Sequence, residues 1–404
     1  MPQTLFYYNY AGEPLWGEGI TLTVPQGGFA NPWLGYPGGS PYPVSQNPNS
    51  TYPQAGYYET VPLHVQNTYV QQWNLTLQRQ VGSSWLFKAS YLGNETAHLW
   101  TDQELNPAVL VPNTAGTPLG TCPKGVTVGC NAIANTQQRR LLTQLNPSQG
   151  PYYGQLEYLD DGGTASYNAL IVSAEHRLSS HFSMLANYTW SHCIGDPVTT
   201  ELSGPIYTNP NDRRFDRGNC AYIDIHHNFN LSAVLQSPHY SNRAVQWIAG
   251  DWQLAPIVGL HSGSYFAVTT GVDDALNSIG AQRPNQIASN VYCANRNINC
   301  WMSSSAFAAP AFGTLGSLGN NSLEGPGYFD VDVSLSRQFR VKEKQYFEIR
   351  AESFNIQNRA NYLNPGAVGI AGGASNSALN SSTFGKIQSD VAPRIMQFAV
   401  KYAF

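Results

Sequence analysis

The feature that most restricts this chain is the two-residue rhythm of its last ten residues. In Ile395–Phe404, Met396, Phe398, Val400, Tyr402 and Phe404 fall on one side, and Gln397, Ala399, Lys401 and Ala403 on the other. Successive side chains of a strand point to opposite faces, so the pattern describes a strand with one apolar and one polar face. Its length also suits a tilted membrane-crossing strand, which needs about 9–11 residues. The same rhythm recurs over 68–79, 84–94, 165–177, 181–192, 226–236, 250–263, 328–340 and 345–356. That makes nine strands, and Leu5–Tyr8 supplies the end of a tenth.

The apolar faces carry aromatic rings: Trp73, Trp85, Tyr91, Tyr188, Trp190, Trp252, Phe329, Tyr402 and Phe404. Rings of this kind form girdles at the headgroup level of a membrane barrel, or the core of a β-sandwich. The opposite faces carry Lys88, Glu175, Asp330, Asp332, Glu348, Arg350, Glu352 and Lys401, which suit a wet lumen or a solvated sheet face. Composition fits the barrel, and a secreted all-β protein shares much of the same profile. Charged residues are 11% of the chain, aromatic residues 12%, and mean hydropathy is only −0.29. Alternating lipid-facing and lumen-facing residues average out in this way. No run approaches the ~20 apolar residues of a spanning helix. A net charge of −4, with no basic stripe, gives no reason to expect nucleic acid.

The connections sort by length. Residues 80–83, 178–180 and 341–344 are tight turns, and 237–249 is intermediate. Residues 9–67, 95–164, 193–225, 264–327 and 357–391 are long. They alternate along the chain, so one rim carries turns and the other carries loops, as in outer-membrane barrels. The expected fold is all-β, an antiparallel transmembrane β-barrel segment of about 9–10 strands. Residues 1–67 would hold a partial first strand and a Pro- and Gly-rich extracellular loop, and 68–404 the remaining strands. If Phe404 ends at the periplasmic rim, every long loop is extracellular.

Six cysteines, Cys122, Cys130, Cys193, Cys220, Cys293 and Cys300, sit in or beside the long loops. Their even number suits disulfides in an oxidising compartment. Proximity favours Cys122–Cys130 and Cys293–Cys300, leaving Cys193–Cys220. These bonds would staple loops expected to lack a core of their own. Asp212, Arg213, Arg214, Asp216 and Arg217 form a dense charge knot, read as an internal salt-bridge network over the barrel mouth. An anionic ligand or lipopolysaccharide is its alternative use.

No catalytic constellation or cofactor motif is expected. Asp160–Asp161 and Asp273–Asp274 lack full calcium-loop spacing and read as loop turns. His226 and His227, brought near His192 and Cys193, point to opposite faces and are read as structural rather than metal ligands. Tyr36, Tyr42, Tyr52, Tyr57, Tyr58, Trp100, Tyr152 and Tyr153 suit either ligand stacking or loop packing.

Several segments together resemble Oar-like TonB-dependent outer-membrane receptors over roughly residues 66–404. They are Ser166–Leu178 (SYNALIVSAEHRL) with Phe182–Ser191 (FSMLANYTWS), Asp212–Gly218 (DRRFDRG) with Asp224–Phe229 (DIHHNF), and Ala351–Asn361 (AESFNIQNRAN). Tyr402 and the closing Phe404 resemble a barrel-assembly signal. The resemblance implies a barrel of about 22 strands with a plugged lumen. It also implies outer-membrane lipid and lipopolysaccharide around the wall, an assembly machinery, a TonB partner and an unknown ligand. MPQTLFYYNYAGEP is not a signal peptide, and neither plug nor coupling box is found, so a C-terminal fragment of such a receptor is expected. A passive porin-like channel and a secreted all-β adhesin or carbohydrate-binding protein are the other readings.

Overall fold

The computed structural model describes residues 25–36, 39–40, 54–60, 62–112, 120, 130–179, 181–197, 207–221, 223–280, 282–342, 345–367 and 377–404. Leu5–Tyr8, Tyr42, Tyr52 and Cys122 lie outside them.

All nine expected strands are present, each hydrogen-bonded to the next in sequence. They are β1 (Tyr69–Val81), β2 (Trp85–Glu104), β3 (Tyr153–Ser179), β4 (Phe182–Gly195), β5 (His227–Gln236), β6 (Trp252–His261), β7 (Tyr328–Lys342), β8 (Gln345–Phe354) and β9 (Ile395–Ala403). Every pairing between them is antiparallel. Among the described residues the sheet is open, with β1 and β9 as its edges.

Register turns the alternation of single strands into two continuous faces. Leu77, Ala89, Val172, Tyr188, Phe229, Leu260 and Phe329 stand opposite one another across seven strands. One residue along, Gln78, Lys88, Ser173, Asn187, Asn230, Gly259 and Asp330 form the matching polar row. A one-residue slip would exchange the faces, so burial of one face in lipid specifies the register. The polar face is cross-linked by Lys88–Glu175 at 3.9 Å and by Arg350 with Glu348 and Glu352. The apolar face is bare: Phe398 and Val400 are each 76% exposed and Trp190 55%. An apolar surface of that extent marks a membrane-facing wall. Gly93 has a specific place on it, because a Cβ there would lie 2.5 Å from the Trp73 indole that covers it.

Gly82 (φ +63) and His181 (φ 77) sit in tight turns on one rim. The helix Arg243–Ala249, capped by the Asn242 side chain, fills the intermediate connection on the same side. The described parts of the long connections lie on the opposite rim.

Two expectations about that rim need correction. First, the 95–164 connection is not all loop, because β2 and β3 run on together to the pair Glu104↔Glu157. Alternation fades there because both faces meet protein rather than one meeting lipid. The register also shifts near Leu99, where His98 takes φ 56. Second, the loops do not lack a core. The buried apolar cluster of the described residues is built from loop residues, including Phe266, Val268, Val291, Met302, Phe307, Leu323 and Phe384. Residues Gly56–Thr60 add a short strand that pairs with β3 in parallel.

Candidate functional site

At about 3.3 Å per residue, the 20 residues of β2 and 27 of β3 span roughly 65 and 90 Å, against a hydrocarbon core of ~30 Å. Their outer ends therefore stand clear of the membrane and carry the loop module. A cavity of about 840 Å³ lies where module meets wall, lined among others by Asn94, Tyr167, Asp196, Asn219, Arg283 and Asn321. Its volume falls in the range of small-ligand sites, about 300–1,000 Å³.

The DRRFDRG segment builds one side of this cavity. Its Asp212 carboxylate accepts from the Arg214 amide at 3.0 Å and starts a short 3₁₀ turn, Arg213–Asp216. The charge knot does not close on itself. Arg213 pairs with Asp160 of β3, and Arg217 reaches Asp196 at 3.3 Å and the Thr164 carbonyl at 3.0 Å. Asp216 is buried, accepts two hydrogen bonds from Thr208 at 2.7 Å, and pairs with Arg283. Arg283 also donates to the Leu318 and Phe215 carbonyls and lies 4.6 Å from the Phe215 ring centroid. Arg214 is exposed. Arg213 and Arg217 thus tie the turn to β3 and to Asp196 just beyond β4, and Arg283 ties it to the loop module. Sequence spacing missed the partners Asp160, Asp196 and Arg283, because the pairs span 53, 21 and 67 residues.

Disulfides brace the same region. Cys193 at the end of β4 is bonded to Cys220, and Cys293 to Cys300. Cys130 is also disulfide-bonded. Of the acidic pairs read as loop turns, Asp273–Asp274 lies in a turn, whereas Asp160–Asp161 lies inside strand β3 rather than in a loop, because β2 and β3 stay paired past the membrane. Asp273 accepts from the Asn277 and Ser278 amides, and Asp161 from the Gln66 amide. Of the loop aromatics, Tyr58 packs on Tyr153 at 5.4 Å and Tyr57 donates to Glu157.

Beside Tyr57 lies a buried acidic group of Glu59, Asp102 and Glu157. Burial, then the charges of Glu157 and Glu59, push the Asp102 carboxyl up to about 9. Asp102 therefore holds a proton at neutral pH.

His192, Asp224 and His226 converge where β4 leaves the membrane. The His192 Nδ1 atom lies 2.6 Å from His226 Nε2 and 3.2 Å from Asp224 Oδ2. His226 Nε2 and Asp224 Oδ2 are also 3.2 Å apart. Among the described residues this is the one group of three His, Cys, Asp or Glu side chains close enough to hold a single metal ion. His227 points elsewhere and bonds the Tyr188 hydroxyl at 2.8 Å. The opposite-face reading of His226 and His227 is therefore right, but it overlooked Asp224. Asp224 stands two residues before His226, a spacing that puts side chains on the same face of extended chain.

Comparison with known proteins gives one family match. Residues 9–397 match the outer membrane beta barrel domain family. Similar solved structures include the outer membrane transporter YddB from Escherichia coli, at 8% identity and a TM-score of 0.42, covering 87% of this chain and 34% of that one. The ferric-catecholate import receptor Fiu of the same species has 10% identity and a TM-score of 0.38, with 84% and 28% covered. The FrpB iron transporter from Neisseria meningitidis has 9% identity and a TM-score of 0.38, with 85% and 33% covered. The chain thus spans about a third of the length of these structures. No curated protein matches the sequence.

Proposed function

The chain belongs to the outer membrane beta barrel domain family of the bacterial outer membrane, and from that premise we propose that it forms the C-terminal wall and outer mouth of an Oar-like, TonB-dependent transporter. The observation that carries this reading is the pair of open sheet edges, β1 and β9, each bonded on one side only among the described residues. An unpaired backbone group in hydrocarbon costs several kcal/mol, so a membrane wall demands further strands against both edges. A barrel of the plugged class, about 22 strands, supplies them. Those strands, a plug and the TonB contact belong to polypeptide beyond these residues.

In this reading the loop module captures a ligand at the 840 Å³ cavity, and energy-coupled movement of the plug admits it. The protein performs no chemistry on the ligand. Lipid and lipopolysaccharide surround the wall, and the assembly machinery reads Tyr402 and Phe404 at its last strand. Tyr402 stacks on Phe347 at 4.6 Å, while Phe404 is 92% exposed and free to be read.

The test is reconstitution of the 404-residue chain in planar bilayers, together with sequencing of the reading frame upstream of Met1. The proposal expects no stable monomeric channel from the chain alone, and a plug encoded upstream. A monomer with a discrete, lasting conductance would replace it with a self-contained porin-like channel.

A further inference from the structure

We propose that His192, Asp224 and His226 form an extracellular binding site for a borderline divalent metal ion of the Zn²⁺ class. Two imidazole nitrogens and one carboxylate oxygen are the donor set such ions select over Mg²⁺ or Ca²⁺. The three atoms form a triangle with edges of 2.6, 3.2 and 3.2 Å. An ion about 2.0–2.1 Å from each donor would sit roughly 1 Å out of the plane of that triangle. Three donors on one side leave a fourth position open. The His192 and His226 side chains are 42% and 27% exposed, so an ion can enter from outside.

The surroundings hold the donors in place. Asp224 has no side-chain exposure, and its Oδ1 accepts from the Cys193 amide at 3.0 Å, leaving Oδ2 toward the histidines. His226 Nδ1 lies 3.0 Å from the Tyr265 hydroxyl. That contact orients the ring, and with Nδ1–H donating to the hydroxyl it leaves Nε2 as the ligating nitrogen. The Cys193–Cys220 disulfide joins the residue after His192 to the loop carrying Asp224. The Asp224 amide itself bonds the Cys220 carbonyl at 3.1 Å. The site lies wholly within this chain and stands or falls separately from the transport reading.

The experiment is titration of the tag-free, detergent-folded chain with Zn²⁺ by calorimetry and with Co²⁺ by visible absorption. One ion per chain is expected, with an intense Co²⁺ ligand-field band. His192→Ala and His226→Ala should each weaken Zn²⁺ binding at least tenfold and remove the band. His227→Ala, whose ring bonds Tyr188 on the other face, should leave both unchanged. Circular dichroism checks folding, and His192→Gln and His226→Gln replace any alanine variant that fails it. Absence of stoichiometric binding, or binding that survives both histidine substitutions, would show a hydrogen-bonded triad and overturn the proposal.

Discussion

At the scale of single residues, the outer rim depends on buried charges whose partners are far away in sequence. Arg283 and Asp216 are 5% and 1% exposed and face each other. Arg283→Met should destabilise the loop module by about 3 kcal/mol, the low end for breaking a buried pair, because Thr208 still satisfies Asp216. Faster limited proteolysis around residues 208–219 would register this. Asp102 gives the rim a pH response. Its folded carboxyl keeps a proton up to about 9, whereas the unfolded chain releases it near 3.8. Between those values the folded state binds the extra proton, so stability is full below about pH 4 and is lost as pH rises toward 9. Urea midpoints measured from pH 5 to 9 should fall with pH. Asp102→Asn should flatten that slope, and an unchanged slope would exclude Asp102 as its source.

At the scale of elements, the two faces of a strand should respond oppositely to charge. Val172 lies in the apolar row and Ser173 beside it in the polar row. Val172→Arg should cost about 2–4 kcal/mol of folding into lipid vesicles, and Ser173→Arg much less. Equal costs would mean that the lipid-facing side is wrongly assigned. The Cys193–Cys220 bond closes a 27-residue separation, worth about 3–4 kcal/mol of unfolded-loop entropy. Reduction should therefore accelerate proteolysis of the loop between them while leaving the β-sheet dichroism intact. The nine strands were legible in the sequence because lipid on one face and water on the other impose alternation. The outer halves of β2 and β3 were not, because from Leu99 to Glu104 both faces pack against protein.

On the scale of the whole molecule, stability is divided between two solvents. The wall is held by lipid on its apolar face and by strand pairing, while the loop module has its own apolar core around Phe266, Val268, Met302 and Phe307. Unfolding should therefore occur in two steps rather than one. The module's transition, followed at Trp301, should move with urea and little with detergent. The wall's transition, followed at Trp190 on the bare face, should depend on detergent. A single coincident transition would mean that module and wall form one cooperative unit.

The membrane-crossing parts of the strands, the segregation of turns from loops and the faces of those strands can be read from the residues alone. Those properties follow from local period-two alternation and from connection lengths, which a linear text records directly. Even the last strand, Ile395–Ala403, could be read this way to within a residue. The folded chain alone reveals that the loops own a core, that the DRRFDRG arginines reach Asp160 and Asp196, and that Asp224 completes a triad with His192 and His226. These contacts depend on distance in space between segments tens of residues apart, and no periodicity along the chain encodes which carboxylate will meet which cation.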